Sequence, residues 1–328
     1  MIYELLEQAC SLQASDLHLA VDQLPKVRIH GRLRSLAEAR ISAAELEGMT
    51  AELLSNEALE QLRKTGQVDC SIGVGLADRF RLNIFRQRGK LAMAVRIIQS
   101  EPPDCSKLGL PESVCNLALL KQGLILFAGP TGSGKSSTMA ALVNKLNQEK
   151  QLHIITLEDP VEYIYPEGSC LINQREVGMD TKSFASGLRA ALRQDPDVIL
   201  VGEMRDAETM ATALTAAETG HLVLATIHTT DAVSSINRIM DVLSDHQQQV
   251  RAQLADCLQG VVSQRLIIKS NGQGRVGAFE VLIVTEALRN LIREGRTCQI
   301  SSYMQTGVKL GMQTMESSLK ELKRKGII

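Results

Sequence analysis

The chain has 328 residues, 44% of them apolar and 22% charged, with a formal net charge of −1. That length accommodates two domains with separate cores, and the near-neutral balance argues against nucleic acid or an anionic membrane as a partner held by bulk charge. Aromatics at 3% and no tryptophan leave few stacking platforms for single strands, which weakens a helicase or recombinase reading. At the start, Glu4 and Glu7 stand where a signal peptide carries positive charge, and no apolar run approaches the ~18 residues of a membrane span. A cytoplasmic protein without a transmembrane segment is expected. Cysteines 10, 70, 105, 115, 170, 257 and 298 form no C-x-x-C pair, so reduced thiols are expected rather than disulfides or a zinc site.

In chain order, Ile2, Leu5, Leu6 and Ala9 predict a first helix. Ser42-Ala43-Ala44-Glu45 reads as a capping box opening a second helix that runs to about Leu62. Strand patterns occupy 27–33, 68–74, 79–86 and 91–98. With Gln87-Arg88-Gly89-Lys90 as a four-residue turn, Arg86 faces Leu91 and Arg81 faces Arg96. Like charges directly opposite repel, so the pair is either two splayed surface arginines or a pair that works over an anion.

Prolines 102, 103 and 111 resist helix and central strand and mark a linker at 100–112 between a region 1–99 and a region 113–328. The rear region alternates apolar runs at 124–128, 153–157, 198–201 and 221–227 with helical patterns, the mark of an α/β domain with a largely parallel sheet. After the first run comes Gly129-Pro130-Thr131-Gly132-Ser133-Gly134-Lys135-Ser136, followed by Ser137 and a helix with Met139, Leu142, Val143 and Leu146 on one face. This fits G-x-x-x-x-G-K-[ST] in its strand–turn–helix context: backbone N–H groups cradle phosphates, Lys135 reaches the β- and γ-phosphates, and Ser136 binds Mg²⁺. ATP and Mg²⁺ are the expected ligands.

Acids follow the next runs: Glu158, Asp159 and Glu162 after 153–157, and Glu203 after 198–201. Glu203 is the candidate for activating water or holding Mg²⁺ through water, and Glu162 for a supporting acid. Singly, such acids are more often helix caps or solvated turns. Thr226 and His228 close the last run, where His228 either reports on a γ-phosphate or is a hydrogen-bonded structural histidine.

Taken together, the chain resembles the secretion ATPases of the type IV pilus and type II secretion family, and within it the pilus-retraction ATPases. The resemblance rests on Ser15-Asp16-Leu17-His18-Leu19, the phosphate loop, Leu157-Glu158-Asp159-Pro160-Val161-Glu162-Tyr163, Asn173-Gln174-Arg175-Glu176-Val177, Leu188-Arg189-Ala190-Ala191-Leu192-Arg193, and the runs at 197–206 and 219–230. It implies a homohexamer in which a PAS-like α+β domain precedes a RecA-like P-loop ATPase domain. Nucleotide is then expected between the two domains, with Arg81 and Arg96 matching the arginines that close over its phosphates. Near the end, Ala287-Leu288-Arg289-Asn290-Leu291-Ile292-Arg293-Glu294 departs from the retraction signature only by Leu288 for Ile. From its pattern alone this is an amphipathic helix packed on its own domain; the resemblance implies Arg289, Arg293 and Glu294 available to a partner. The implied activity is pilus retraction on the cytoplasmic side of the inner membrane, docked on the pilus platform. The alternatives are an extension, secretion or accessory motor of the same family, a DNA translocase, or a non-hydrolysing regulatory module.

Overall fold

Leu17 and Leu19 are buried while Asp16, His18 and Ala20 are only half-buried, the period of two that a strand takes when one face meets a core. This strand, β1 (Asp16–Ala20), joins β2 (Lys26–Ile29), β3 (Arg32–Ser35), β4 (Gln67–Val74), β5 (Asp78–Gln87) and β6 (Lys90–Ile98) in a sheet ordered β3-β2-β1-β6-β5-β4. Every pairing in it is antiparallel. The computed structural model describes residues 1–328 except 13, 30, 75–77, 99, 100, 245, 246 and 273, and the side chains of 74 and 78. Helices α1 (Ile2–Ser11), α2 (Ala43–Leu53) and α3 (Asn56–Thr65) cover one sheet face, where Leu6, Leu46 and Leu62 cluster with Leu17, Leu82, Ile84 and Val95.

Two local expectations change. The capping box at Ser42 forms with both of its bonds, but the helix ends at Leu53 and Ser55 caps a separate α3 by accepting from Ala58 N. The pattern at 27–33 is the hairpin β2–β3 rather than one strand: Gly31 takes φ +80°, and residue 30 lies outside the described residues. The four-residue turn at 87–90 forms as expected. Arg88 and Gly89 alone carry it, both at positive φ (50° and 77°), the handedness that suits a two-residue hairpin. The register is the expected one, with Arg86 opposite Leu91 and Arg81 opposite Arg96.

The chain divides into two compact units, one of Met1–Glu101 with Glu162–Ile164 and one of Pro102–Val161 with Tyr165–Ile328. In the second unit the proline-bearing stretch holds α4 (Cys105–Leu108) and leads into α5 (Glu112–Leu117), with Cys105 and Leu110 packed against the core. Seven strands follow: β7 (Gly123–Ala128), β8 (His153–Glu158), β9 (Leu171–Glu176), β10 (Val198–Val201), β11 (Leu222–Ile227), β12 (Leu258–Ile268) and β13 (Arg275–Ile283). Their order is β13-β12-β7-β11-β10-β8-β9, parallel throughout except for the antiparallel β13. The helices are α6 (Lys135–Glu149), α7 (Phe184–Ala191), α8 (Ala207–Glu218), α9 (Ala232–Val242), α10 (Gln247–Cys257), α11 (Glu286–Arg293), α12 (Ile300–Thr306) and α13 (Met315–Arg324).

Both faces of this sheet are buried, and β7 shows how. Leu124 and Leu126 pack with Met210, Leu214, Ile236 and Leu288, while Ile125 and Phe127 pack with Met139, Leu142 and Val143 of α6. Continuous apolar strands are what a sheet covered on both sides requires. The architecture is therefore α/β, an antiparallel sheet followed by a largely parallel one. None of the seven cysteines is in a disulfide, and burial pushes the Cys105 and Cys257 thiols up to about 12, which keeps them protonated. No helix among the described residues is long and apolar enough to cross a membrane.

Candidate active site

Parallel strands deliver their carboxyl ends to one edge of the sheet, and the expected phosphate loop leaves β7 at that edge. Gly129, Gly132 and Gly134 all take positive φ (146°, 78° and 92°), which side chains resist. At Gly129 a Cβ would lie 2.6 Å from Ser133 Oγ, so the loop closes on itself only around glycine. Gly134 is the N-cap of α6 and provides no side chain to satisfy the first-turn N–H groups, which stay available to an acceptor. Pro130, Thr131 and Gly132 are exposed, and Ser136 and Ser137 are half-buried in the first turn. Lys135 is buried and its Nζ donates to the carbonyls of Gly129 and Pro130 at 2.7 and 3.0 Å, which holds the ammonium inside the loop's own curve.

The donor set fits a nucleotide triphosphate with its metal. Ser133 Oγ is buried without a hydrogen-bond partner, an orphan that an anion in the cradle would satisfy. The space where a Cβ would project from Gly132 is open. The Ser136 hydroxyl is a hard oxygen donor of the kind Mg²⁺ takes, the rest of its shell coming from phosphates and water.

Strand order brings further groups to this edge. Ile227 of β11 pairs with Ala128 of β7, so His228 is the next residue on one strand as Gly129 is on the other. Beyond β11 lies β10, two residues past whose end stands Glu203. Its side chain is 16% exposed, and Oε1 receives both Arg205 Nε at 2.5 Å and His228 Nε2 at 3.0 Å. Burial pushes the Glu203 carboxyl up, but the hydrogen bond from Arg205 and the neighbouring imidazole outweigh it, so the group sits below its ordinary value and is ionised at neutral pH. The turn carrying Glu203 is tied down on both sides: Gly202 N donates to Leu157 O at 2.7 Å, Met204 N to Thr226 O at 3.0 Å, and Thr226 Oγ1 to Gly202 O.

At the end of β8 the structure fixes Glu158 rather than Glu162. Glu158 Oε1 accepts from Thr156 Oγ1 at 2.6 Å and from Gln174 Nε2 at 3.1 Å. The loop beyond it is held by Glu176, whose Oε2 accepts from Val161 N at 3.2 Å. Glu162 is exposed and belongs to the short stretch grouped with the first unit. Of the sequence-predicted residues, the structure thus gathers Gly129–Ser137, Glu203 and His228 at one sheet edge.

Arg81 and Arg96 lie opposite each other in the first unit's sheet. Asp16 is opposite Arg96 on its other side and also opposite Arg28. Its carboxylate accepts from Arg96 Nε at 3.3 Å and lies 3.7 Å from Arg28 Nε. One row across four strands therefore reads Arg28, Asp16, Arg96, Arg81, and the acid in it offsets the repulsion between the arginines. Arg81 forms no ion pair among the described residues, so its charge is uncommitted. The sequence reading missed Asp16, whose only signal was its place in the Ser15–Leu19 motif. It also missed Gln264, a buried glutamine in β12.

The helix α11 packs its apolar stripe on the core and draws one of its arginines into that packing. Leu288, Leu291 and Ile292 are core residues, as the apolar stripe predicted. Arg289, however, donates to the carbonyls of Ala255 and Asp256 at the end of α10 and to Gln259 Oε1, and Arg293 donates to Asp256 Oδ1 at 2.5 Å. Arg289 satisfies two of the last carbonyls of α10 and faces its negative dipole end, while Arg293 pairs with the Asp256 carboxylate; Glu294 remains half-exposed in a pair with Arg296.

Comparison with known proteins agrees with this geometry. A family model described as type II/IV secretion system protein matches residues 1–326. The chain is 44% identical over 328 residues to the type IV pilus retraction ATPase PilT of Pseudomonas aeruginosa, covering all of this chain and 95% of that protein. It is 44% identical over 305 residues to a twitching motility protein of Neisseria gonorrhoeae, covering 93% of this chain and 82% of the relative. A crystal structure of the pilus retraction motor PilT with bound ADP superposes with a TM-score of 0.93 at 49% identity, over all of this chain and 94% of that one. With a nucleotide loop, an ionised glutamate and a histidine at one sheet edge and full-length relatives of the same architecture, the chain belongs to the type II/IV secretion system ATPase family.

Proposed function

We propose that this protein is an ATP-hydrolysing motor that powers type IV pilus retraction, and hence twitching motility, working as a homohexamer docked on the inner-membrane pilus platform from the cytoplasmic side. The observation that carries the reading is the convergence of the phosphate loop, Glu203 and His228 at one sheet edge, in a chain similar along its full length to a retraction ATPase.

In this reading the N–H groups of Gly129–Ser137 take up the phosphates, and Lys135 turns from its own loop carbonyls to the β- and γ-phosphates. Ser136, and Glu203 through water, would hold Mg²⁺, which would supply neutralising charge to the phosphate oxygens. Glu203, kept ionised, accepts a proton from the attacking water. His228, already hydrogen-bonded to Glu203, couples that carboxylate to the γ-phosphate position next to Gly129. Glu162 supports the same site from the loop after β8. Arg81 and Arg96 lend positive charge to the terminal phosphate, and its loss on hydrolysis removes that attraction. Repeated around a ring, gain and loss of this contact becomes movement of whatever sits on the axis.

Glu203→Gln tests the assignment. Phosphate release should fall by about 10²–10⁴-fold, the usual worth of a positioned base, with ATP binding retained. Turnover close to wild type would remove Glu203 from this role. In the cell, deletion should leave excess pili and no twitching; bald cells would instead indicate an extension motor.

A further inference from the structure

Strand β12 continues past the point where β7 ends. Ser263 pairs with Ala128, the last residue of β7, so Gln264 runs alongside the phosphate loop itself. It shares a sheet face with Val262, which packs with Met139 and Leu142 of α6. At that position an apolar residue would continue the core, and a glutamine is costly there unless its amide is used. Gln264 is only 5% exposed. Its Oε1 accepts from Thr138 Oγ1 of α6 at 2.7 Å, and Thr138 is fully buried. Its backbone carbonyl oxygen abuts Gly129, where a Cβ would approach to 2.6 Å, and its side-chain Nε2 abuts Gly134, where a Cβ would approach to 2.7 Å.

From this geometry we propose that Gln264 is a positioning residue for ATP: it braces the phosphate loop at both of its glycine ends and, locked in orientation by Thr138, sets the width of the phosphate cradle. Because Thr138 donates to Oε1, the other half of the amide is turned towards Gly134 at the mouth of α6. The loop between those glycines is otherwise held by its own contacts, Lys135 to Gly129 and Pro130. Those are the contacts Lys135 gives up when it reaches for phosphate. The Gln264 brace persists through that exchange and keeps Gly129 and Gly134 in place. The inference rests on the phosphate-loop reading above, and its tests are chosen to fail separately from it.

The experiment uses the full chain, with titration of a fluorescent ATP analogue, steady-state KM and kcat, and thermal melting measured on each variant. Gln264→Glu keeps the acceptor for Thr138 but places an anion against Gly134, where it repels the incoming phosphates, so KM for ATP should rise by about tenfold or more. Thr138→Val removes the hydroxyl that orients the amide and should raise KM several-fold, and Thr138→Ser should recover most of that loss. Unchanged ATP affinity in both Gln264→Glu and Thr138→Val would overturn the proposal, as would Thr138→Ser losing as much affinity as Thr138→Val. Melting temperatures lowered with KM unchanged would also overturn it, since that marks a purely structural residue. Lys135→Ala separates the readings. If it binds ATP like wild type, the phosphate loop is misassigned; if it loses binding while the Gln264 and Thr138 variants do not, only the brace is wrong.

Discussion

In the second unit the polar groups gather where parallel strands end, whereas in the first they lie on the open face of an antiparallel sheet. The parallel sheet is buried on both sides, so Leu124 to Ala128 or Val198 to Val201 can carry nothing but apolar side chains and chemistry is displaced to the loops beyond. The antiparallel sheet has its helices on one face, so β5, β6 and β1 each set a core residue beside a charged one: Leu82 beside Arg81, Val95 beside Arg96, Leu17 beside Asp16. At one site position is set by loop geometry and glycine, at the other by register. A single-residue slip in β5 would exchange Arg81 for Leu82, so the tight turn at Arg88-Gly89 fixes which of the two faces away from the core.

Neighbouring residues on β5 should therefore separate the two roles cleanly. Arg81→Ala is expected to lower ATP turnover on the order of 10³-fold, the lower end of what a positioned arginine contributes to phosphoryl transfer, with unfolding free energy within about 0.5 kcal/mol of wild type. Arg96→Ala should behave alike, with an added loss from the broken contact to Asp16. If nucleotide affinity alone fell, both would be simple phosphate clamps. One residue along, Leu82→Ala should do the reverse: about 2–5 kcal/mol of stability lost from a fully buried side chain, with turnover per folded molecule largely kept. Denaturant midpoints and phosphate release on the same preparations test the pair.

The contrast also explains what could be read beforehand. Runs buried on both faces announce themselves, so β7, β8, β10 and β11 were legible, and with them the phosphate loop, Glu203 and His228. The hairpin register followed from placing the turn at Gln87-Arg88-Gly89-Lys90. Short alternating strands are harder. β1 has only Leu17 and Leu19 to signal it, and the break between α2 and α3 turns on one capping serine. Gln264 and Asp16 were not legible as parts of a site, because their meaning lies in partners far along the chain, Thr138 and Arg96. Arg289 shows the opposite error. A charged residue on an amphipathic helix reads as solvent-facing until the end of α10 is known to lie against it.

That difference can be measured. Arg289 is 13% exposed at its side chain and donates to two carbonyls and an amide oxygen. Arg289→Ala should cost about 1.5–3 kcal/mol, the range for hydrogen bonds to a charged group, seen as a lower melting temperature of the isolated protein. Full stability with loss only of retraction in cells would restore the partner-binding role.

The smallest expected effect concerns the loop that carries His228 into α9. Asp231 is the N-cap of α9, accepting from Ser234 N and Ser234 Oγ, each at 2.8 Å, and from Thr230 Oγ1 at 2.8 Å. Burial pushes its carboxyl up, but the bonds from Ser234 and Thr230 more than offset this, and the group lies below its ordinary value. A lowered folded-state pKa means the cap contributes its full stability above the unfolded value, about 3.9, and loses it as pH falls through the folded one. Asp231→Ala should cost about 1 kcal/mol at neutral pH, and Asp231→Asn much less. The gap between wild type and Asp231→Ala in urea midpoint should stay constant from pH 8 to about 5 and then narrow below about 4. A gap that widened on acidification would mean that Asp231 is bound to a proton in the folded chain, and the hydrogen-bonded cap described here would be wrong.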